Sequence, residues 1–256
     1  MEAMALAIFL FLKTGEKFAT QEMAGPTVSE LTNYLGNHAG LKCEARVVNQ
    51  PAAALEVCGK EKPPVGIVTP GFFLTYQKAL AMEPVLEVRR ENVAAERFVL
   101  VARKGASVNP ADWTGKTIAT TLAAEERYVK GVILRDQFGS EIRLAAVGSA
   151  EDAIFDLVEG AKGAADGVLV EEAAWAMFAA DPELGGQLKV VFQSDELPRD
   201  LVVRFGEADA TAVRSALTAL NEDEAGRRIL ASIRVEKFAP VDSARLEQAQ
   251  RLFHGK

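Results

Sequence analysis

The sequence offers little to a metal ion. Its 256 residues include two histidines, His38 and His254, and two cysteines, Cys43 and Cys58. These are too few for the four-ligand sites that structural zinc requires. Concentrated positive charge is lacking as well: 29 Lys and Arg stand against 36 Asp and Glu, the net charge is −7, and the basic pairs Arg89-Arg90, Arg103-Lys104 and Arg227-Arg228 stand far apart. A nucleic-acid partner needs a basic face, so that class is excluded. The apolar run at residues 5–12 (ALAIFLFL) falls well short of the roughly 20 residues that span a bilayer. It is preceded by Glu2 instead of a positive charge, and no small-residue cleavage site follows. It therefore reads as a buried parallel strand and not as the core of a signal peptide. An export signal removed ahead of Met1 is compatible with this reading.

What is present is an ordinary globular composition, 49% hydrophobic and 25% charged, on a length that fits one large domain or two small ones. Residues 5–12, 41–48, 65–69 and 85–90 read as strands, separated by helical patterns that include a helix opened by Pro51 and one opened by Pro70-Gly71. The rhythm is β-α-β-α-β-α-β, a doubly wound parallel domain. It then breaks. Residues 96–121 give a strand (98–103), a polar turn at 112–115 and a second strand (116–120) with no helix between them. Parallel neighbours normally need a helical crossover, so the chain here leaves one α/β domain and begins another.

The βα rhythm restarts with a helix expected over 122–138, a strand at 142–147, a helix capped by Ser149, a strand at 167–170, a helix at 172–180 and a strand at 188–193. A second strand-to-strand passage leads into 201–205, and helices at 210–220, 222–233 and 243–253 follow. Two passages imply two doubly wound α/β domains joined by two hinge crossovers. Domain one comprises residues 1–97 and 201–256, and domain two residues 98–200. Cys43 and Cys58 fall at the same end of one βα unit, where a disulfide and two buried free thiols are both open. A disulfide would stabilise by roughly 3 kcal/mol in the chain-entropy model.

Ligands of open parallel sheets bind beyond the carboxyl ends of the strands, and paired crossovers permit closure around a ligand. Three stretches carry a resemblance that fits: GIVTPGFFLTY (66–76), VLVARKGASVNPADWTGKTIATT (99–121) and GRRILASIRVEKFAPVD (226–242). Together they resemble the type-two periplasmic solute-binding proteins, in the phosphate, phosphite and phosphonate branch of the ABC importers. The resemblance implies a non-enzymatic periplasmic receptor, with a small-molecule ligand and a membrane permease as partners.

The strand ends supply the candidate ligand-binding residues. In the first domain these are Thr14, Glu16 and Lys17 after the first strand, then Thr69, Gly71, Phe72, Phe73 and Tyr76 after the third. In the second they are Thr120, Thr121 and Leu122, with Glu171 after the 167–170 strand. Phe72 and Tyr76 share a helix face, where walling a pocket and ordinary helix-to-sheet packing are both open. Phosphonate binders of the family follow this strand with a hydroxyl-rich helix start, which suits oxyanions. Here Leu122-Ala123-Ala124-Glu125-Glu126 follows Thr120-Thr121, replacing donors with acids. That points away from simple phosphate, toward a neutral, cationic or largely apolar ligand, a lipid or sterol-like molecule among them. No paired nucleophile and base is found, so no catalytic residue, metal or cofactor is expected. The rival class is a cytosolic enzyme on the same fold, such as a dehydratase of menaquinone synthesis.

Overall fold

The computed structural model of the chain describes residues 6–17, 19–40, 42–139, 141–161 and 163–255. Ala5 and Leu41, the first residues of two expected strands, lie outside the described residues. In chain order the first elements are β1 (Leu6–Leu12), α1 (Gln21–Ala39), β2 (Lys42–Val48), α2 (Pro51–Glu61), β3 (Val65–Val68), α3 (Pro70–Tyr76) and β4 (Met82–Arg90). Then come β5 (Phe98–Arg103), a 3-10 turn (Pro110–Trp113), β6 (Thr117–Thr120), a second 3-10 turn (Ala123–Glu125) and a π-helical turn (Tyr128–Ile133). They are followed by β7 (Arg143–Ala146), α4 (Ala150–Glu159), β8 (Gly167–Glu171), α5 (Glu172–Ala179), α6 (Pro182–Gly185) and β9 (Leu188–Gln193). Last are β10 (Leu201–Phe205), α7 (Thr211–Ala219), α8 (Glu224–Ser232), β11 (Val235–Ala239) and α9 (Ser243–Phe253).

Two compact units divide the chain: Met1–Val93 with Arg199–Ser243, and Ala94–Pro198 with Ala244–Lys256. Besides the two strand-to-strand passages there is a third, after Ser243. It groups α9 with the second unit, where the sequence boundary kept residues 201–256 together in domain one. Packing explains it: Arg127 donates to the Phe253 carbonyl at 3.1 Å and lies 4.4 Å from the Phe253 ring centroid.

Unit one holds a six-stranded sheet in the order β11-β4-β10-β3-β1-β2. Strand β1 is parallel to β2 and β3, whereas β10 is antiparallel to both β3 and β4. Unit two repeats the device in the order β7-β6-β8-β5-β9, with β6 parallel to β7 and β8, and β5 antiparallel to β8 and β9. The sheets are thus mixed and not wholly parallel. The reason is local: β5 and β10 each arrive from the other unit without a crossover helix, and each enters its sheet antiparallel between two strands of like direction.

The apolar run of β1 forms a strand because both of its faces are covered: Ile8, Phe9, Leu10 and Leu12 are all buried. Phe9 joins Leu31, Leu35, Leu217, Leu230 and Phe238 in the unit-one core. Each such side chain contributes about 1.5–3 kcal/mol on full burial. In unit two, Val99, Val101 and Val168 pack against Ile154 and Leu157 of α4. That helix starts where Ser149 accepts a hydrogen bond from the Asp152 amide at 3.2 Å. Two expectations are corrected. The chain over 122–138 is not one helix but the 3-10 turn and the π-helical turn, ended by Arg135 and Asp136 at φ +53°. Residues 235–239, given no strand by the sequence reading, form β11 on β4.

A polar link fixes α1 against the start of α8. Asp223 caps α8 by accepting from the Gly226 amide at 2.6 Å, and the buried Tyr34 hydroxyl donates to the same carboxylate at 2.7 Å. Gly226 is needed here, since a Cβ would lie 2.0 Å from the Leu220 carbonyl oxygen. Burial, then the bond to Asp223 and its charge, push the Tyr34 hydroxyl up from 10 to about 12. The folded value lies above the unfolded one, so this stabilisation is complete below pH 10 and is lost as pH rises to about 12. We expect Tyr34→Phe to lower the unfolding free energy by about 1 kcal/mol at neutral pH. Urea titrations of the variant will also show a shallower alkaline loss over that window.

Candidate functional site

In unit one the carboxyl ends of β1 and β3 share an edge because the two strands are parallel neighbours. Thr14 and Thr69, one after each strand, are both buried, and their hydroxyl oxygens lie 3.4 Å apart. Thr69 is also the N-cap of α3: its hydroxyl accepts from the Phe72 amide at 3.4 Å and its carbonyl from the Phe73 amide at 3.0 Å. Pro70 occupies the first turn, where its missing N–H is harmless. The Gly71 carbonyl accepts from the Thr75 hydroxyl at 2.7 Å.

The three aromatics differ in what they leave open. Phe72 and Phe73 are 0% and 1% exposed, while Tyr76 is half-buried. The Phe72 and Tyr76 rings lie 4.9 Å apart and tilted, as their helical spacing required. Tyr76 is therefore the aromatic of the three with surface to offer. The turn after β1 is held by Asn49 at the end of β2: its side chain donates to the Glu16 carbonyl at 3.0 Å, and its own carbonyl accepts from the Gly15 amide at 2.8 Å. Glu16 is half-buried and Lys17 exposed. Lys13 pairs with Asp200 at 3.1 Å. The sequence reading named neither Asn49 nor Asp200, although Asn49 stands at a strand's carboxyl end, where a search of that edge finds it.

In unit two β6 and β8 are parallel neighbours, which brings the ends carrying Thr120 and Glu171 to one edge. Thr120 is fully buried, Thr121 half-buried and Leu122 buried. The Leu122 amide donates to the Thr120 hydroxyl oxygen at 3.2 Å, and the Glu125 amide to the Leu122 carbonyl at 2.8 Å. The backbone thus turns on itself directly after the strand, in place of the helix start expected from the sequence. The Glu125 carboxylate is buried, and Glu126 pairs with Lys130 at 2.7 Å. Glu171 is half-buried at the β8–α5 junction.

Other chemistry is sparse. Cys43 and Cys58 are free thiols, and burial raises both, Cys58 to about 11. Thiols so protonated at neutral pH are poor nucleophiles. Among the described residues no group of three His, Cys, Asp or Glu side chains is placed to hold a metal ion, and no helix is long and apolar enough to cross a membrane.

Residues 20–246 match the family model described as the ABC-transporter phosphonate periplasmic substrate-binding protein. A comparison with curated protein sequences gives no match. Among solved structures, XAC2383 from Xanthomonas citri, bound to chloride, superposes with a TM-score of 0.77 at 13% identity, covering 98% of both chains. A binding-protein component of an ABC phosphonate transporter from Pseudomonas aeruginosa gives 0.69 at 13% identity, over 98% of this chain and 86% of its own. PhnD1 from Prochlorococcus marinus, in complex with methylphosphonate, gives 0.66 at 11% identity over 97% of each chain. At these identities the likeness is one of fold.

The capping role of Thr69 can be measured. Thr69→Ala is expected to lower the unfolding free energy by about 1 kcal/mol, and Thr69→Ser to restore most of it. Denaturant titration distinguishes the two. Equal losses would mean that packing of the Thr69 methyl, and not the cap, is what matters.

Proposed function

The chain belongs to the family of periplasmic phosphonate substrate-binding proteins of ABC transporters, and we propose that it is a non-enzymatic solute receptor whose ligand is not simple phosphate. Each unit carries its own candidate ligand-binding residues at its strand ends: Thr14, Glu16, Lys17, Thr69, Gly71 and Tyr76 in unit one, and Thr120, Thr121, Leu122 and Glu171 in unit two. Phe72 and Phe73 back them. The receptor works outside the cytoplasm and delivers its ligand to a membrane permease, as the family does.

The observation that carries the ligand class is the turn after β6. An oxyanion site needs several converging donors, each contributing on the order of 1 kcal/mol. Here the Leu122 amide is already engaged by Thr120 and the Glu125 amide by Leu122. Glu125 also places a buried carboxylate within one turn of Thr121. An acidic side chain so close to the strand end disfavours an anion there, and a dianion most. A neutral, cationic or largely apolar small molecule meets no such opposition. The half-buried Tyr76 ring gives unit one an apolar surface at its strand ends, which favours the apolar end of that range, a lipid or sterol-like cargo.

A thermal-shift screen tests this. A ligand present at a hundred times its Kd stabilises the folded state by about 2.7 kcal/mol. We expect millimolar inorganic phosphate and methylphosphonate to leave the Tm unchanged, and members of an amine or neutral-lipid panel to raise it by several degrees. Native mass spectrometry of the purified protein will show a retained apolar molecule if cargo is carried through purification. A rise confined to phosphate or methylphosphonate, lost in Thr120→Ala/Thr121→Ala, overturns the assignment.

A further inference from the structure

The chain passes between its units after Val93, after Pro198 and after Ser243. Just inside unit one, a single carboxylate gathers all three passages. Glu87 on β4 is 3% exposed, and its Oε1 accepts from Arg199 Nη1 at 3.2 Å and from Arg89 Nε at 3.1 Å. Its Oε2 accepts from the Asp242 amide at 3.0 Å. Just inside unit two, Glu196 does the same: Oε1 accepts from Arg97 Nη2 at 2.6 Å and Oε2 from Arg245 Nη2 at 2.5 Å. Backbone bonds reinforce both. The Val88 amide donates to the Asp200 carbonyl at 2.9 Å in unit one, and the Leu197 amide to the Glu96 carbonyl at 2.8 Å in unit two.

Each carboxylate therefore stands on one passage and binds the other two. Between the two sets of contacts the first passage leaves residues 90–95, of which Arg90 still belongs to β4, the second Pro198 and the third residues 243–244. Pro198 is buried, and its ring fixes φ, so few torsions remain there. We propose that Glu87 and Glu196 are paired positioning residues for ligand capture: each fastens the three passages to its own unit, so that bending is confined to the few residues between the fastenings. This rests on the solute-receptor reading for its purpose, but not for its geometry.

The two fastenings differ in kind. The Glu87–Arg199 pair is buried, with side chains 3% and 7% exposed, so removing one partner strands a charge away from water. Glu196 is 40% exposed and Arg97 33%. They line a polar hollow of about 680 Å³ together with Arg245, Ser194 and Gln248. Salt therefore reaches the second fastening and not the first, since the Debye length falls to about 3 Å at about 1 M.

Hydrogen exchange by mass spectrometry on the full chain tests the proposal without any ligand. In Glu196→Gln, amides of residues 91–97, 196–201 and 240–246 are expected to exchange together about fivefold faster or more, while peptides from β1–β3 and β6–β8 stay unchanged. High salt should reproduce this in the wild type. Glu87→Gln should act likewise and be insensitive to salt. Glu83→Gln, which breaks an exposed pair with Arg204, serves as the control and should do nothing. A second readout separates positioning from local packing: single-molecule energy transfer between dyes at Lys60→Cys and Met177→Cys, with both native cysteines replaced by serine. The distance distribution should broaden in Glu196→Gln and not in Glu83→Gln. If Glu87→Gln fails to fold, Glu196→Gln and the salt series still decide. Faster exchange at one passage alone, a uniform rise across the chain, or an unbroadened distribution overturns the proposal. Failure of the ligand screen with the exchange pattern intact counts instead against the receptor reading.

Discussion

A carboxylate almost out of reach of water holds the first unit together at its root. Glu87 is expensive to bury by itself; its charge is tolerable there because Arg199, Arg89 and the Asp242 amide converge on its two oxygens. Arg199 and the Asp242 amide stand 112 and 155 residues along the chain from Glu87. Much of the first unit's architecture follows from that meeting. β4 carries Glu87, β10 begins two residues after Arg199, and β11 ends three residues before Asp242. Displacing any one of them leaves a polar group unsatisfied in the interior, which is more costly than losing an equivalent contact on the surface.

Much of this architecture was legible in the sequence. The apolar runs of β1, β3 and β10, the cap Ser149 and the Pro70-Gly71 that opens α3 announced their elements. Two of the three passages between units were visible as helix-free joins, whereas the third, after Ser243, runs straight into a helix and left no such mark. What could not be read was which strand inserts where. Nothing in LVVRF says that it will lie antiparallel between β3 and β4, because burial on both faces gives the same apolar run in either direction. The segment 122–138 failed for a different reason. Its apolar residues, Tyr128, Val129, Val132 and Ile133, suit any helical turn, and a local switch to i→i+5 bonding leaves no compositional trace. β11 was passed over because Val-Glu-Lys-Phe-Ala is short and carries two charges, as an edge strand does.

The candidate site shows the same split between position and partnership. Strand-end logic placed Thr14, Thr69, Thr120 and Glu171 at the edges where parallel sheets accept ligands. It could not tell that the Thr14 and Thr69 hydroxyls would adjoin, nor that Thr120 would take up the Leu122 amide. Those facts depend on rotamers and on distances of a few ångströms. Phe72 and Phe73 illustrate the limit well: an aromatic pair at a helix start looks alike in sequence whether its rings end up at 0% exposure or at a surface.

The insertion of β10 between β3 and β4 has a consequence for how the molecule comes into being. During synthesis β3 and β4 emerge more than a hundred residues before the strand that joins them. Until then the first unit has a gap in its sheet and two unsatisfied strand edges, while β5 to β9 of the second unit are already complete on the ribosome. Long-range pairing of this sort is slow to form and exposes sticky edges meanwhile. The nascent chain thus stays open in its first half until residue 205 is made.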